Sequence, residues 1–274
     1  MQLAADLRDG RIPPSSGGIG TFPPVSRAAI EPNMGKTPQV YQRVVLKISG
    51  EGFCQPGGFG IHAEQSQRIG REVQSCFELG TQVAIVVGGG NFIRGSTLSK
   101  QSDIPAATAH YMGMLATVIN ALALQETLEK LGIESRVQSS IAIAAVCEPF
   151  IRRRCIRHLE KRRVVVLAAG TGRPFVTTDT AAALAAVEIG ADVLFKATKV
   201  DGVYSADPHK DKDAKLYQSL TYQEVIQKSL AVMDVSAIDL CQTNKVPIVV
   251  FNLMQPGTMR RAVAGERVGT SITS

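Results

Sequence analysis

Five short runs of aliphatic and β-branched residues, at 44–48, 82–87, 164–168, 193–196 and 248–251, recur between longer stretches of helical character. Each run is too short for a helix and apolar almost throughout, as strands buried on both faces of a parallel sheet are. The helical stretches lie at about 63–79, 106–131, 149–161, 180–189, 222–228, 234–243 and 257–264, with Thr221 and Glu224 placed as a capping box before the fifth. Strand and helix alternate. The pattern predicts an α/β chain, a three-layer α/β/α sandwich on a mainly parallel central sheet, with ligands at the carboxyl ends of the strands.

Four glycine-rich turns sit at those ends. The first is Lys47-Ile48-Ser49-Gly50-Glu51-Gly52, and the second is Gly88-Gly89-Gly90-Asn91, followed by Arg94. The third runs Gly170-Thr171-Gly172-Arg173-Pro174-Phe175-Val176-Thr177-Thr178-Asp179, and the fourth Lys196-Ala197-Thr198-Lys199-Val200-Asp201-Gly202-Val203-Tyr204, leading to Asp207. Bare backbone N–H groups beside a cation are a phosphate-binding device, and a helix starting after Gly90 would add its dipole. One such turn is an ordinary tight connection. Four on one sheet edge, three of them carrying basic residues, point to a site for two polyanionic partners.

Composition bounds the rest. The 274 residues are 45% hydrophobic and 20% charged, enough apolar content for a sizeable core. The net charge of +6 suits an anionic substrate; aromatics at 5% with no Trp make nucleic acid an unfavoured partner. Five cysteines without a C-x-x-C pair and four histidines without metal-ligand spacing predict a reduced, cytoplasmic protein with no protein-held metal. The uncharged run 104–125 contains Pro105, His110 and Asn120, which favours a buried or subunit-interface helix over a membrane span.

Residues 1–39 hold 6 of the 13 prolines and no apolar periodicity. They read as a disordered tail, or as an over-long start with Met34 the true one, ahead of a single catalytic domain at 40–274. Familiar fingerprints fail: Ile30 stands where a P-loop ending at Gly35-Lys36-Thr37 needs glycine, and Gly58-Phe59-Gly60-Ile61-His62-Ala63 follows a loop where a dinucleotide fingerprint follows a strand. Between Arg152 and Arg163, seven of twelve residues are Lys or Arg. Either this is an anion patch, or a solvated helix face with Ile151, Cys155 and Leu159 turned inward.

The strings Val45-Leu46-Lys47-Ile48-Ser49-Gly50-Glu51, Val86-Val87-Gly88-Gly89-Gly90-Asn91, Phe92-Ile93-Arg94-Gly95, Met112-Gly113-Met114-Leu115-Ala116-Thr117 and Lys196 to Tyr204 resemble the bacterial uridylate (UMP) kinases, of the amino-acid-kinase fold. The likeness runs from about Tyr41 to Thr273. It implies transfer of the ATP γ-phosphoryl group to UMP, with Mg²⁺, in pyrimidine nucleotide biosynthesis. On the ATP side it implies Lys47, Ile48, Ser49, Gly50, Gly90, Arg94, Thr198, Tyr204 and Asp207. On the UMP side it implies Gly89, His110 and the loop Thr171, Gly172, Arg173, Pro174, Phe175, Val176, Thr177 and Thr178.

Lys47, Arg94 and Asp179 are the implied catalytic groups, although Asp179 also reads as a helix N-cap. Relatives carry Asp where His110 stands, and the loop before it is one residue longer here. The likeness further implies a homohexamer activated by GTP, through a region matching Gln55, Pro56, Gly57, Gly58, Phe59 and Gly60, and inhibited by UTP. Cys54-Gln55-Pro56 departs from the usual pattern there. Two other readings share some of these residues: a kinase of the same fold acting on a small acid, and a nucleotide-binding protein without turnover.

Overall fold

The computed structural model describes residues 41–208, 210–230 and 232–274, so the reading of 1–39 as a tail lies outside the described residues. One nine-stranded sheet organises the rest, in the order β4-β3-β5-β2-β1-β6-β8-β9-β7. The five apolar runs are its centre: β1 (Arg43–Ile48), β2 (Gln82–Val87), β5 (Val164–Ala168), β6 (Val193–Thr198) and β8 (Ile248–Asn252), all parallel to their central neighbours. Around them lie four strands that the sequence pattern left unmarked: β3 (Ser135–Ser139), β4 (Glu148–Pro149), β7 (Ser219–Thr221) and β9 (Thr270–Thr273). Among the strands of the described residues, β8 and β9 are the antiparallel pair.

Side chains alternate across the central strands. Val44, Leu46 and Ile48 join one core, with Ile69 and Val73 of α1 (Ala63–Phe77), Met114 and Leu124 of α3 (Ala106–Lys130) and Met259 of α8 (Thr258–Val263). Val45 faces the other core, built from α4 (Arg152–Glu160), α5 (Thr178–Ile189), α6 (Tyr222–Gln227) and α7 (Val235–Thr243). Three layers result. Thr221 and Glu224 form the expected capping box of α6. No helix starts at the triglycine turn; the next is the short α2 (Gly95–Gln101).

Among the described residues, α3 is the helix long and apolar enough to cross a membrane. Here it packs on α1, β3 and β5 and sends Met114, Leu124 and Leu128 inward. Its opposite face carries Tyr111, Leu115 and Ile119, each between 42% and 48% exposed. In α4, Cys155 and Leu159 are buried as the face reading expects, whereas Ile151 is 47% exposed because it precedes the helix as its N-cap. Much of the basic cluster is partnered: Arg163 pairs with Glu134, Arg157 with Glu160, and Arg162 lies 4.4 Å over the Phe77 ring.

Candidate active site

The chain runs from β1 through β2 to β3 and β4 at one edge, comes back to β5, and then crosses β1 to β6. The strand order therefore reverses beside β1, and the crevice at such a reversal is where open α/β sheets bind ligands. Lys47 and Lys196 stand there as register partners on β1 and β6. Alternation sends both side chains to the α5 side, where one carboxylate meets them. Lys47 Nζ is 2.7 Å from Asp179 Oδ1, and Lys196 Nζ is 2.8 Å from Asp179 Oδ2.

Burial opposes the charge on Asp179, but Lys47 and Lys196 outweigh it and hold the carboxyl below the usual carboxylate range. Lys196 is pushed below the usual lysine range by burial, with Lys47 adding to the effect against Asp179. The unit carries two cations and one anion. Its net charge is one positive, the sign that attracts an anion.

Asp179 does not cap α5. Thr177 does: its hydroxyl oxygen accepts from the N–H groups of Asp179 at 3.1 Å and Thr180 at 3.2 Å, so the helix begins at Thr178 and Asp179 is free to face the lysines. The Thr177 hydroxyl donates to Asp234, which also accepts from Thr180 Oγ1 at 2.7 Å and caps α7 through Ala237 N at 2.9 Å. The Lys196 ammonium donates as well to the carbonyl of Val232. Sequence reasoning gave no role to Lys196 or Asp234. Lysine in a strand otherwise made of buried residues was a signal for the first; the second joins two helix starts 57 residues apart and leaves no local trace.

The first two glycine turns press together. A Cβ on Gly50 would sit 2.5 Å from Gly90 N and 2.7 Å from Asn91 Oδ1, and one on Gly89 would sit 2.6 Å from the Gly113 carbonyl. Only glycine allows these approaches. Arg94 lies alongside Gly90, 3.5 Å from where its Cβ would be, and its guanidinium is paired with Glu51 of the first turn. Lys199 Nζ approaches the same carboxylate at 3.9 Å. Ile48 and Ser49 link Lys47 to Gly50, and Thr198 closes β6, its hydroxyl bonded to Val200 O at 2.7 Å. Tyr204 and Asp207 follow in the segment between β6 and β7, where Tyr204 bridges to Leu216.

The third turn is a loop of left-handed backbone: Ala169, Gly170, Gly172 and Phe175 all have φ between 55° and 71°. Left-handed non-glycine residues cost energy and concentrate at functional sites. Ser140 Oγ donates to Gly170 O at 2.8 Å, and Thr171 Oγ1 is buried with no hydrogen-bond partner. Arg173, Phe175, Val176 and Thr177 are exposed, with Pro174 among them and Thr178 after them half-buried. Across from this loop, the His110 ring of α3 packs on the Phe175 ring at 4.9 Å between centroids, tilted 50°. The loop containing Gln55, Pro56, Gly57, Gly58, Phe59 and Gly60 reaches the second turn through Gly60, and Phe59, 72% exposed, packs edge-on to Phe92.

No group of three or more His, Cys, Asp or Glu side chains with metal-holding geometry occurs among the described residues, and Asp179 is engaged by two ammonium groups.

Comparison with known proteins agrees with this geometry. The Amino acid kinase family model matches residues 42–252. Over 234 residues the chain is 58% identical to a uridylate kinase of Paramagnetospirillum magneticum, covering 85% of this chain and 97% of that one. It is 54% identical over 237 residues to the chloroplastic uridylate kinase PUMPKIN of Arabidopsis thaliana, covering 86% and 70% of the two chains. Among solved structures, the UMP kinase of Bacillus anthracis superposes with a TM-score of 0.83 at 38% identity, covering 86% of this chain and 97% of that one. The UMP kinase of Ureaplasma parvum follows at 0.79 and 32%, covering 85% and 99%. With its fold, its glycine turns and relatives this similar over most of their length, the chain belongs to the amino acid kinase family and, within it, to the uridylate kinases.

Proposed function

We infer that the site moves the γ-phosphoryl group of ATP to the phosphate of UMP, giving ADP and UDP. The observation that carries this is the Lys47–Asp179–Lys196 unit at the strand-order reversal, which offers two fixed cations between two glycine turns. Phosphoryl transfer needs alignment and neutralisation of developing charge more than covalent participation. In this reading the Lys47 ammonium and the backbone of Gly50 and Gly90 hold the donor phosphates. Arg94 leaves Glu51 to meet the transferring group. Asp179 fixes both lysines without reacting, and no protein base is required because the acceptor oxygen is already ionised.

The acceptor side is the loop from Thr171 to Thr178 with Gly89 and His110. The partnerless hydroxyl of Thr171 supports this: a pyrimidine edge, with its donors and acceptors, satisfies it. Thr198, Tyr204 and Asp207 are assigned to the adenosine. ATP chemistry implies a divalent cation, and we propose Mg²⁺, carried by the nucleotide phosphates. We further propose a place in pyrimidine nucleotide synthesis and a cytoplasmic setting, the second in keeping with cysteines that are all unpaired.

A homohexamer is supported by the apolar stripe Tyr111, Leu115 and Ile119, which a second copy would cover. Regulation by GTP through residues 55–60, and by UTP, belongs to the same proposal. A coupled ADP-release assay with UMP, CMP, dUMP and small acid acceptors tests the assignment. UMP is expected to be preferred by at least an order of magnitude, and a small acid preferred over all three nucleotides overturns it.

A further inference from the structure

Two buried asparagines to which no role is assigned above, Asn120 of α3 and Asn91 at the end of the second glycine turn, join these two elements. Asn120, fully buried in α3, and Asn91, 3% exposed, face each other amide to amide. Asn120 Nδ2 donates to Asn91 Oδ1 at 2.7 Å, and Asn91 Nδ2 donates to Asn120 Oδ1 at 3.0 Å. Each amide has one further donor. That of Asn120 goes to the Gly88 carbonyl at 2.7 Å, and that of Asn91 to the Gly60 carbonyl at 2.8 Å. Carbonyl oxygens only accept, so both amide orientations are fixed, and all four hydrogens and both oxygens are used.

The pair joins three pieces of chain: α3, the second glycine turn and the loop at Gly60. Asn91 also accepts from Gly60 N at 3.0 Å through its own carbonyl, which makes the link to the 55–60 loop two-way. Its Oδ1 bounds the space beside Gly50, where a Cβ would come within 2.7 Å. Gly88 N in turn donates to Ile48 O at 2.8 Å. The turn that presents Gly89 and Gly90 is therefore held at both ends, by Ile48 and Asn120 at Gly88 and by the amide pair at Asn91. A simple space-filling role would be served by leucine; a fully satisfied polar pair in an apolar layer fixes direction as well as position.

We propose that Asn120 is a positioning residue for phosphoryl transfer. Acting through Asn91, it holds the Gly88–Gly90 backbone in its donor-binding shape and locks the 55–60 loop to the same turn. Neither asparagine touches the reacting groups. The inference rests on the reading of Gly90 as a phosphate-side position, and the experiment separates the two.

Asn120→Leu keeps the volume and removes both donated bonds; Asn120→Asp keeps the shape and an acceptor for Asn91 Nδ2 but removes the donors. Both are compared with the natural enzyme for thermal midpoint, for kcat and KM with ATP and UMP, and for amide hydrogen exchange. We expect a ten- to hundredfold loss of kcat in folded Asn120→Leu, with the UMP KM within about threefold, because misplacement of a reacting group costs turnover on that scale. Asn91→Leu should give a similar loss, and the double variant little more than either alone. Exchange should rise together at residues 88–92 and at 57–60, the second segment being tied to the first through the bonds between Asn91 and Gly60.

A folded Asn120→Leu with kcat within twofold of the natural enzyme, or exchange changes confined to α3, overturns the proposal. If both variants fail to fold, the pair is a folding element and the positioning role is wrong. Gly90→Ala is the control, since its Cβ meets only Arg94 at 3.5 Å. Full activity in Gly90→Ala would sink the site reading itself, independently of the asparagines.

Discussion

Lys47 and Lys196 stand side by side on β1 and β6, and the single carboxylate of Asp179 receives both of their ammonium groups. Neither cation is tolerable there alone. Two like charges on neighbouring strands repel, and burial already depresses Lys196. Asp179 makes the pair affordable and leaves one net positive charge facing the strand ends.

Replacing Asp179 with Asn should therefore act on activity and stability together. Turnover is expected to fall by roughly 10²–10⁴, because both lysines lose their fixed positions. Removing one partner of a buried ion pair costs about 3–5 kcal/mol. The pH dependence has a definite sign. A lysine with a depressed folded-state pKa leaves the unfolded chain binding more protons in the interval up to its ordinary 10.5, so stability rises with pH there. The thermal midpoint of Asp179→Asn should climb between pH 7 and 9, below the range where the buried thiols titrate, more steeply than that of the natural enzyme, and equal slopes would refute the account.

Arg94 and Glu51 make a second, more exposed pair. Incoming phosphates compete with Glu51 for the guanidinium. Glu51→Gln should lower the KM for ATP by about two- to fivefold with kcat kept, the scale of an exposed ion pair. Arg94→Ala and Lys47→Ala should each lower kcat by roughly 10²–10⁴, as loss of a transition-state cation does. Steady-state kinetics on folded variants decide this, and near-normal turnover removes the residue from the mechanism.

The centre of the sheet was legible because its strands are apolar on both faces, as β1 and β5 are. The rest of the sheet was not. Strand β3 places Ser135, Gln138 and Ser139 in buried positions, and β9 is Thr-Ser-Ile-Thr, so neither carries an apolar run. The site was legible where chemistry is local, in glycine turns following strands. It was illegible where chemistry is made by long-range contact: Lys196 becomes notable only beside Lys47, and Asp234 only once Thr177 and Thr180 reach it. From the sequence, Asp179 reads equally as a catalytic group and as the cap on α5 for the same reason. Asp and Thr both cap helices, and only the lysines show which of the two is otherwise engaged.

Three buried thiols predict alkaline sensitivity. Burial pushes Cys76, Cys155 and Cys241 each from an ordinary 9.0 up to about 12. A raised folded-state pKa gives stability that is whole below pH 9 and lost as pH rises toward 12, because the unfolded chain sheds protons that the folded one keeps. Each thiol contributes a slope of about 1.4 kcal/mol per pH unit in that window. Chemical denaturation at pH 8, 9.5 and 10.5 measures it. Cys241→Ala should be less stable at pH 8, through the cavity it leaves, yet lose less stability than the natural protein as pH rises. An unchanged slope would show that Cys241 ionises in the folded state as readily as in the unfolded one.

His110 and Phe175 carry the last prediction. The likeness to the uridylate kinases implies a carboxylate at the His110 position, and a carboxylate can accept hydrogen bonds from both ribose hydroxyls of UMP. A neutral imidazole has one acceptor and one donor, and here its ring packs on Phe175 at the edge of the acceptor loop. Asp103, a second carboxylate in the loop before α3 that could serve the ribose in place of His110, is exposed. The ring contact gives His110 a position facing the loop but leaves it able to hold fewer hydroxyls than Asp. A hydrogen bond of this kind is worth about 0.5–1.5 kcal/mol. His110→Asp should therefore raise the ratio of kcat/KM for UMP over dUMP by roughly three- to tenfold. Phe175→Ala, which frees the imidazole without changing its chemistry, should move that ratio by less than twofold while raising the KM for both substrates alike. If His110→Asp leaves the ratio where it is, the ribose is held from elsewhere and His110 serves only to pack against Phe175.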